Sequence, residues 1–370
     1  MAKHKSDVTS LSELMTPAAL RLLSAGGLEL VRQIGLDVVR GVVLDVMTGK
    51  NLRDSTEVLT RRRIAALNLA TVNLFLQGAT RSADFVEQLP HLATEILTRP
   101  RLTKAEKWLA QWALGLTDKG VQNILRDSSE SLGQYRDRYI ETCREVIELH
   151  EQDGNELSGE LKLTSGVKAE INWLLLTYLL NTIGAQTLAI RGSEKSAYGK
   201  LFEKLILGSL LHILGFEQVT SPPSKTNRVF WLSSRDERRE SDATLLYEAG
   251  KGVRFDIGFI GRGNPEISLD KVTRFEREIS LGRSRWYLAT LILVDRIGTN
   301  SRLERLAREV EGTIIQMSAG YWPQLVAQEL HRVLGFKHEL LKLKPAEVEP
   351  FLKRKLQQTP LENFIGLKND

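Results

Sequence analysis

The stretch that decides the fold runs from Glu240 to Lys271 and reads ESDATLLYEAGKGVRFDIGFIGRGNPEISLDK. Asp242 and Asp256 each lie beside a short apolar run, and the glycine-containing turn Glu248–Gly252 separates the two runs. This pattern predicts a β-hairpin with one carboxylate near the start of a strand and another within the next strand. Carboxylates brought together in this way are suitable ligands for Mg²⁺, which prefers oxygen ligands in octahedral geometry.

The sequence around this hairpin predicts alternating helices and strands. A nearly continuous apolar run at Trp286–Val294 is typical of a strand that is buried on both faces. The order of these elements predicts a mixed α/β sheet with helices on both sides. The predicted elements are a helix at Ser196–Leu214, a strand at Arg228–Leu232, a helix at Ile267–Leu281, the strand at Trp286–Val294, a helix at Leu303–Glu311, a strand at Thr313–Met317 and a helix at Trp322–Leu334.

The N-terminal half has a different pattern, because apolar residues recur there three or four positions apart. That period predicts helices, with one short hairpin strand at Leu157–Leu163. We therefore predict a helical domain over residues 1–190, an α/β core over 191–340 and a charged tail over 341–370 that packs little. The predicted helices lie at Glu57–Leu76, Ser82–Leu97, Lys104–Leu114, Asp118–Leu125, Leu132–His150 and Val167–Ile183.

Composition excludes several classes of protein. The only cysteine among the 370 residues is Cys143, which rules out an intrachain disulfide framework and a multi-thiolate zinc site. The formal charge of +5 is a mild excess that permits a nucleic-acid partner without requiring one. The first ten residues lack the apolar region of a signal peptide, and we find no apolar run of membrane-spanning length. We therefore expect a soluble, cytoplasmic protein.

The central stretch contains the groups that phosphodiester hydrolysis requires. Asp242 and Asp256 are candidate Mg²⁺ ligands, Lys271 is a candidate cation on the following helix, and Glu203 is a candidate third acid on the preceding helix. Each has a structural alternative. Asp242 could be an ordinary strand-start residue, Lys271 could form a surface ion pair, and Glu203 could pair with Lys200. Asp256 is the hardest to explain structurally, because a lone carboxylate in a half-buried strand is costly.

Arginines are dense around this stretch, and arginine both grips phosphate and reads guanine. Arg262 and Asn264 in the predicted loop, and Arg274 and Arg277 on the predicted helix, are candidate DNA contacts. The alternative is that these side chains are simply solvated. The glycines of GFIGRGN at Gly258–Asn264 have the spacing GxxGxG, so they do not match the dinucleotide fingerprint.

The succession of a helix with an edge glutamate, a strand, an acidic hairpin, a helix and a buried strand resembles the PD-(D/E)XK nuclease superfamily. In that comparison Asp242 takes the place of the first aspartate, and Asp256-Ile257-Gly258 takes the place of the D/E-x-K triplet. Gly258 thus stands where lysine is expected. Some members of the superfamily relocate one active-site residue to the next helix, and Lys271 is our candidate for such a relocation.

Longer phrases, RGSEKSAYGKLFEKL, ESDATLLY, GVRFDIGFIGRGNPEISLDKVTRFERE and LVDRIG, resemble the CfrBI-type group of type II restriction endonucleases. The resemblance implies a restriction-endonuclease-like core and Mg²⁺-dependent, site-specific cleavage of double-stranded DNA by a homodimer. Two alternatives remain open. Gly258 would suit a DNA-binding protein that has lost catalysis, and the same fold also serves repair and recombination nucleases.

Overall fold

The computed structural model describes residues 8–24, 29, 31–32, 35–126, 131–219, 227–233, 241–259, 287–295 and 313–366. The chain forms two compact units. The first comprises Met1–Gly26 and Leu59–Lys195, and the second comprises Gly27–Val58 and Ser196–Asp370. The second unit therefore contains, besides the residues of the predicted core, a segment from the N-terminal half of the chain.

Helices dominate the first half of the chain, in agreement with the periodicity of its apolar residues. Local signals fix their ends. For example, Thr103 and Glu106 form a reciprocal capping box at the start of the fifth helix. The large side chains of Phe75, Phe85 and Trp112 are buried in the core of the first unit. The helices are α1 (Pro17–Ser24), α2 (Leu36–Met47), α3 (Leu52–Arg81), α4 (Phe85–Leu97), α5 (Lys104–Ala113), α6 (Asp118–Ile124), α7 (Ser131–Gln152) and α8 (Trp173–Ile213).

A small antiparallel hairpin interrupts these helices. Its strands are β1 (Gly159–Lys162) and β2 (Lys168–Ile171). The first strand confirms the predicted hairpin strand, but the helix predicted at Val167–Ile183 starts later than expected. Residues of β2 are occupied in pairing with β1, and the side chain of Asn172 accepts the N–H of Leu175 over 2.9 Å at the start of α8.

The second unit is built on a six-stranded mixed sheet with the order β3-β4-β5-β6-β7-β8. The pairs β4–β5 and β5–β6 are antiparallel, whereas β3–β4, β6–β7 and β7–β8 are parallel. The predicted α/β fold class and the predicted acidic hairpin, β5–β6, are therefore confirmed. The strands are β3 (Glu217–Gln218), β4 (Val229–Leu232), β5 (Ala243–Glu248), β6 (Lys251–Gly258), β7 (Tyr287–Val294) and β8 (Thr313–Gln316).

Strand β7 is buried on both faces, as its continuous apolar sequence predicts. The consecutive residues from Leu291 to Val294 are all buried. Helix α9 (Trp322–Leu334) packs on β8, and the indole N–H of Trp322 donates to the carbonyl of Val46 in α2 over 2.8 Å. This buried hydrogen bond ties α2 to the second unit. The helices predicted at Ile267–Leu281 and Leu303–Glu311 lie outside the described residues.

Helix α8 is continuous where the sequence predicts two separate helices. Its first half contributes Leu175 and Tyr178 to the core of the first unit, and its second half contributes Phe202 and Leu210 to the buried residues of the second. Among the described helices, α8 alone is long and apolar enough to span a membrane, judged by length and composition. Core helices pass the same test, so this is weak evidence for a membrane span.

The C-terminal tail corrects one prediction, because it packs closely. It forms α10 (Pro345–Gln357) and α11 (Leu361–Phe364). The side chains of Val348, Leu352 and Leu356 recur at a spacing of four and are buried, so one face of α10 is apolar although its other residues are largely charged. Helix α10 packs against α2, where the guanidinium of Arg40 donates to the carbonyls of Leu356 and Thr359.

Candidate active site

Asp242 is the residue immediately before β5, and two hydrogen bonds hold it in place. The N–H of Ser233 donates to the carbonyl oxygen of Asp242 over 3.1 Å. The N–H of Ile257 donates to Oδ2 of Asp242 over 2.9 Å. Because Ile257 belongs to β6, the second bond fixes the carboxylate against the neighbouring strand. The structure thus places Asp242 at the start of the strand, as the sequence predicts.

Asp256 lies within β6 between two fully buried neighbours, Phe255 and Ile257, and is itself half-buried. The register pairs Ala243 with Phe255, so one further step along the ladder sets Asp242 opposite Asp256. Residues that are opposite each other in an antiparallel pair lie on the same face, with Cβ atoms about 5 Å apart. Continuation of the register would therefore bring the two predicted carboxylates together.

Gly258 ends β6 and lies two residues beyond Asp256, on the same face of the strand. It pairs with Val294 of the parallel neighbour β7. Since glycine has no side chain, this position supplies no cation to the two carboxylates. The departure from the superfamily pattern is therefore a real property of the site.

Glu203 lies in the second half of α8, is half-buried, and follows the fully buried Phe202. Its proposed role stays a prediction. The other predicted site residues, which are Lys271, Arg262, Asn264, Arg274 and Arg277, lie outside the described residues.

A hydroxyl pair beside Asp242 was not predicted from the sequence. Ser241 and Thr244 are both buried, and their hydroxyl oxygens are 3.1 Å apart. The register pairs Thr244 with Arg254 of β6, which puts Thr244 on the face of the sheet that carries Asp256. A serine and a threonine on either side of an aspartate form a common sequence pattern, so only the three-dimensional contact marks this pair.

The carboxyl ends of the parallel strands lie together along one boundary of the sheet, its carboxyl edge. Ligands commonly bind at this edge in α/β folds. Asp295 follows β7 at this edge and is buried. Its Oδ2 accepts the side-chain amide of Asn51 over 3.4 Å, and its carbonyl accepts the N–H of Ser318 over 3.0 Å. Asn51 precedes α3, so the hydrogen bond attaches the start of that helix to this edge of the sheet.

The donor set at Asp242 and Asp256 fits Mg²⁺. Proteins usually hold this ion through one or two carboxylates, while water and substrate phosphate complete its octahedron. Within the described part of the chain, no three His, Cys, Asp or Glu side chains converge on one point. A pair of carboxylates suits Mg²⁺ better than zinc, since zinc sites need three or four protein ligands.

Known proteins resemble this chain over most of its length. The family model of the CfrBI restriction endonuclease matches residues 36–302. A curated relative from Citrobacter freundii, described as the type II restriction enzyme CfrBI, is 38% identical over 323 residues, which cover 86% of this chain and 88% of the relative. No solved structure matches the chain. The matched region includes the helical half, the acidic hairpin and the buried strand β7, and the chain belongs to the CfrBI family of restriction endonucleases.

Proposed function

We propose that this protein is a type II restriction endonuclease that hydrolyses double-stranded DNA at a short recognition sequence in an Mg²⁺-dependent reaction, as the nuclease of a restriction-modification system. Membership of the family supports site-specific DNA cleavage. The observation that supports the metal dependence is the β5–β6 register, which begins at Ala243–Phe255 and, continued by one residue, would bring Asp242 and Asp256 together.

The two aspartates have different surroundings and hence different roles. Oδ2 of Asp242 is held by the N–H of Ile257, so its Oδ1 is the oxygen proposed to coordinate the cation. Asp256, half-buried on the same face, supplies the second carboxylate. When bound, Mg²⁺ would acidify the attacking water and neutralise charge that develops on the phosphate oxygens. Lys271 is proposed to stabilise that charge, and Glu203 to orient the water or act as an outer ligand.

Substrate binding is proposed to involve the arginine-rich segment that follows β6. Arg262 and Asn264 would contact DNA from the loop, and Arg274 and Arg277 from the predicted helix. The helical domain would supply the contacts of a homodimer and part of a DNA clamp. Direct attack by water would leave 5′-phosphate ends, as the superfamily resemblance implies. We further propose that the protein acts in the cytoplasm.

Digestion of plasmid DNA tests this proposal. The purified protein is incubated with plasmid and Mg²⁺, with and without EDTA. Discrete bands that require Mg²⁺ are expected, and sequencing their ends gives the recognition site and the stagger. Binding without cleavage would favour a DNA-binding protein that has lost catalysis, the alternative that Gly258 supports. Nicks that depend on DNA structure instead of sequence would indicate a repair or recombination nuclease.

A further inference from the structure

The hydroxyl pair of Ser241 and Thr244 spans Asp242 along the chain. Both residues are about 2% exposed, and the oxygens are 3.1 Å apart. On a regular strand, residues three apart point to opposite faces and cannot meet. Here the chain is not a regular strand, because it bends at Asp242, between the two residues. The bend therefore allows the two hydroxyls to come within hydrogen-bonding distance.

The bend changes which oxygen the neighbouring strand binds. Continuing the β5–β6 register by two residues beyond Ala243–Phe255 would pair Ser241 with Ile257. The N–H of Ile257 would then donate to a backbone carbonyl of the ladder. It donates instead to Oδ2 of Asp242 over 2.9 Å. The carboxylate thus takes the place of a ladder acceptor, which holds it against β6 beside the residue that follows Asp256.

We propose that the Ser241–Thr244 hydroxyl pair is a positioning element that holds the Asp242 carboxylate in its metal-binding orientation. This inference rests on the proposed function, because it assumes that Asp242 is a metal ligand. Groups that orient metal ligands typically change metal affinity or activity about 10- to 100-fold when they are removed. The hydroxyl pair should therefore set the metal affinity of the site without contacting the metal.

The key variants separate orientation of Asp242 from simple stability. Thr244→Val keeps the shape of the side chain but leaves the buried Ser241 hydroxyl without a partner, which is itself costly. The double variant Ser241→Ala/Thr244→Val removes both hydroxyls, so no buried hydroxyl of this pair is left without a hydrogen-bond partner. Thr244→Ser keeps the hydroxyl. Thr359→Val is the matched control, because Thr359 is equally buried but lies just after α10, where its hydroxyl donates to the carbonyl of Lys355.

Two measurements on the full-length protein are needed: Mn²⁺ affinity by electron paramagnetic resonance, and the Mg²⁺ concentration for half-maximal plasmid cleavage. Thr244→Val and the double variant are expected to weaken both by about tenfold or more. Thr244→Ser and Thr359→Val should remain near wild type. Should Thr244→Val fail to fold, the double variant and Ser241→Ala carry the test, with circular dichroism as the check on folding.

Wild-type Mn²⁺ affinity in the double variant would overturn the inference, since the hydroxyls would then only stabilise the strand. Asp256→Ala separates this failure from failure of the proposed function. If Asp256→Ala loses Mn²⁺ binding and cleavage while the double variant binds normally, only the positioning role is wrong. If Asp256→Ala binds Mn²⁺ and cuts as the wild type does, the proposed metal site is wrong.

Discussion

At the scale of single residues, the proposed site would bring two carboxylates to facing positions of a half-buried strand pair. Like charges that are directly opposite on a sheet destabilise it. A bound cation removes that repulsion, which is a physical reason to expect metal binding here. The hydrogen bond from Ile257 to Asp242 already neutralises part of one charge and leaves one carboxylate oxygen for a ligand.

Replacement of Asp242 by asparagine tests this balance of charge. Asp242→Asn keeps an oxygen that can accept the Ile257 N–H but removes the charge. We expect an unchanged or slightly raised melting temperature in the absence of metal. Mg²⁺-dependent cleavage should fall by more than about a hundredfold, because removal of residues that only orient metal ligands already lowers activity about 10- to 100-fold. Calorimetric unfolding and plasmid digestion measure the two effects. Cleavage at the wild-type rate would remove Asp242 from the metal site.

Burial of histidines in the second unit makes its stability depend on pH. Burial lowers the pKa of His338 below its usual 6.5, although Glu339 and a hydrogen bond to Ile213 act in the opposite direction. Burial also lowers the pKa of His212. The unfolded state then binds more protons than the folded state just below pH 6.5. The histidines' contribution is therefore complete above that pH and is lost as the pH falls.

We therefore predict that the melting temperature falls between pH 7.5 and pH 5.5, and that it falls less in His338→Asn. Asparagine can still accept the N–H of Leu340, which the His338 ring accepts over 3.2 Å, but it does not titrate. Calorimetry at several pH values provides the measurement. An equally steep pH dependence in wild type and variant would show that His338 is not a source of it.

At the scale of elements, close packing between α8 and α11 depends on one glycine. A Cβ added at Gly208 would lie 2.5–2.8 Å from the ring of Phe364, whereas one added at Gly199 in the same helix would meet nothing within 4 Å. The absence of a side chain at Gly208 therefore lets the C-terminal helix approach α8. This contact is a physical reason for a glycine at a position where helix propensity disfavours it.

The two glycines form a matched pair of variants. Gly208→Ala is expected to destabilise the protein by about 1–3 kcal/mol through overpacking. Gly199→Ala should stabilise it by up to about 1 kcal/mol, because alanine is the better helix former. Denaturant titration gives both values. Combining Gly208→Ala with Phe364→Leu should recover part of the loss, and strict additivity of the two changes would argue against the contact.

Local patterns predicted the elements well, whereas contacts between distant segments were not predictable. The acidic hairpin follows from alternating apolar residues and a glycine turn, in which Gly250 has φ of 78°. The tail was judged by its charge, although Val348, Leu352 and Leu356 already recur there at helical spacing. Helix α2 is attached to the second unit by the hydrogen bond from Trp322 to Val46. No local sequence pattern predicts this contact.

The candidate site, like the fold, could be predicted where it depends on local sequence but not where it depends on contacts between distant segments. The hairpin that carries Asp256 and directly follows Asp242 is local, so it could be expected from the sequence. The Ser241–Thr244 contact depends on a bend that no periodicity reveals. The tie between Asn51 and Asp295 joins residues that are far apart in sequence, so only the folded chain shows it.

At the scale of the whole molecule, concerted cleavage of both strands of a duplex requires two active sites. One carboxylate pair per chain suits the hydrolysis of one strand. We therefore predict that the complex with the cognate duplex has the mass of the duplex plus two chains of 41.7 kDa each. Analytical ultracentrifugation with and without that duplex is the measurement. A single chain on DNA that still cuts both strands at once would contradict the homodimer.

Cleavage by Asp256→Ala tests the central claim most directly, because Asp256 lies within strand β6 and is the proposed second metal ligand. The variant and the wild type are assayed side by side for binding to cognate duplex in Ca²⁺ and for plasmid cleavage in Mg²⁺. The account predicts that Asp256→Ala folds, binds the duplex within a few-fold of the wild type, and does not cut. Complete digestion of the plasmid by Asp256→Ala would contradict it.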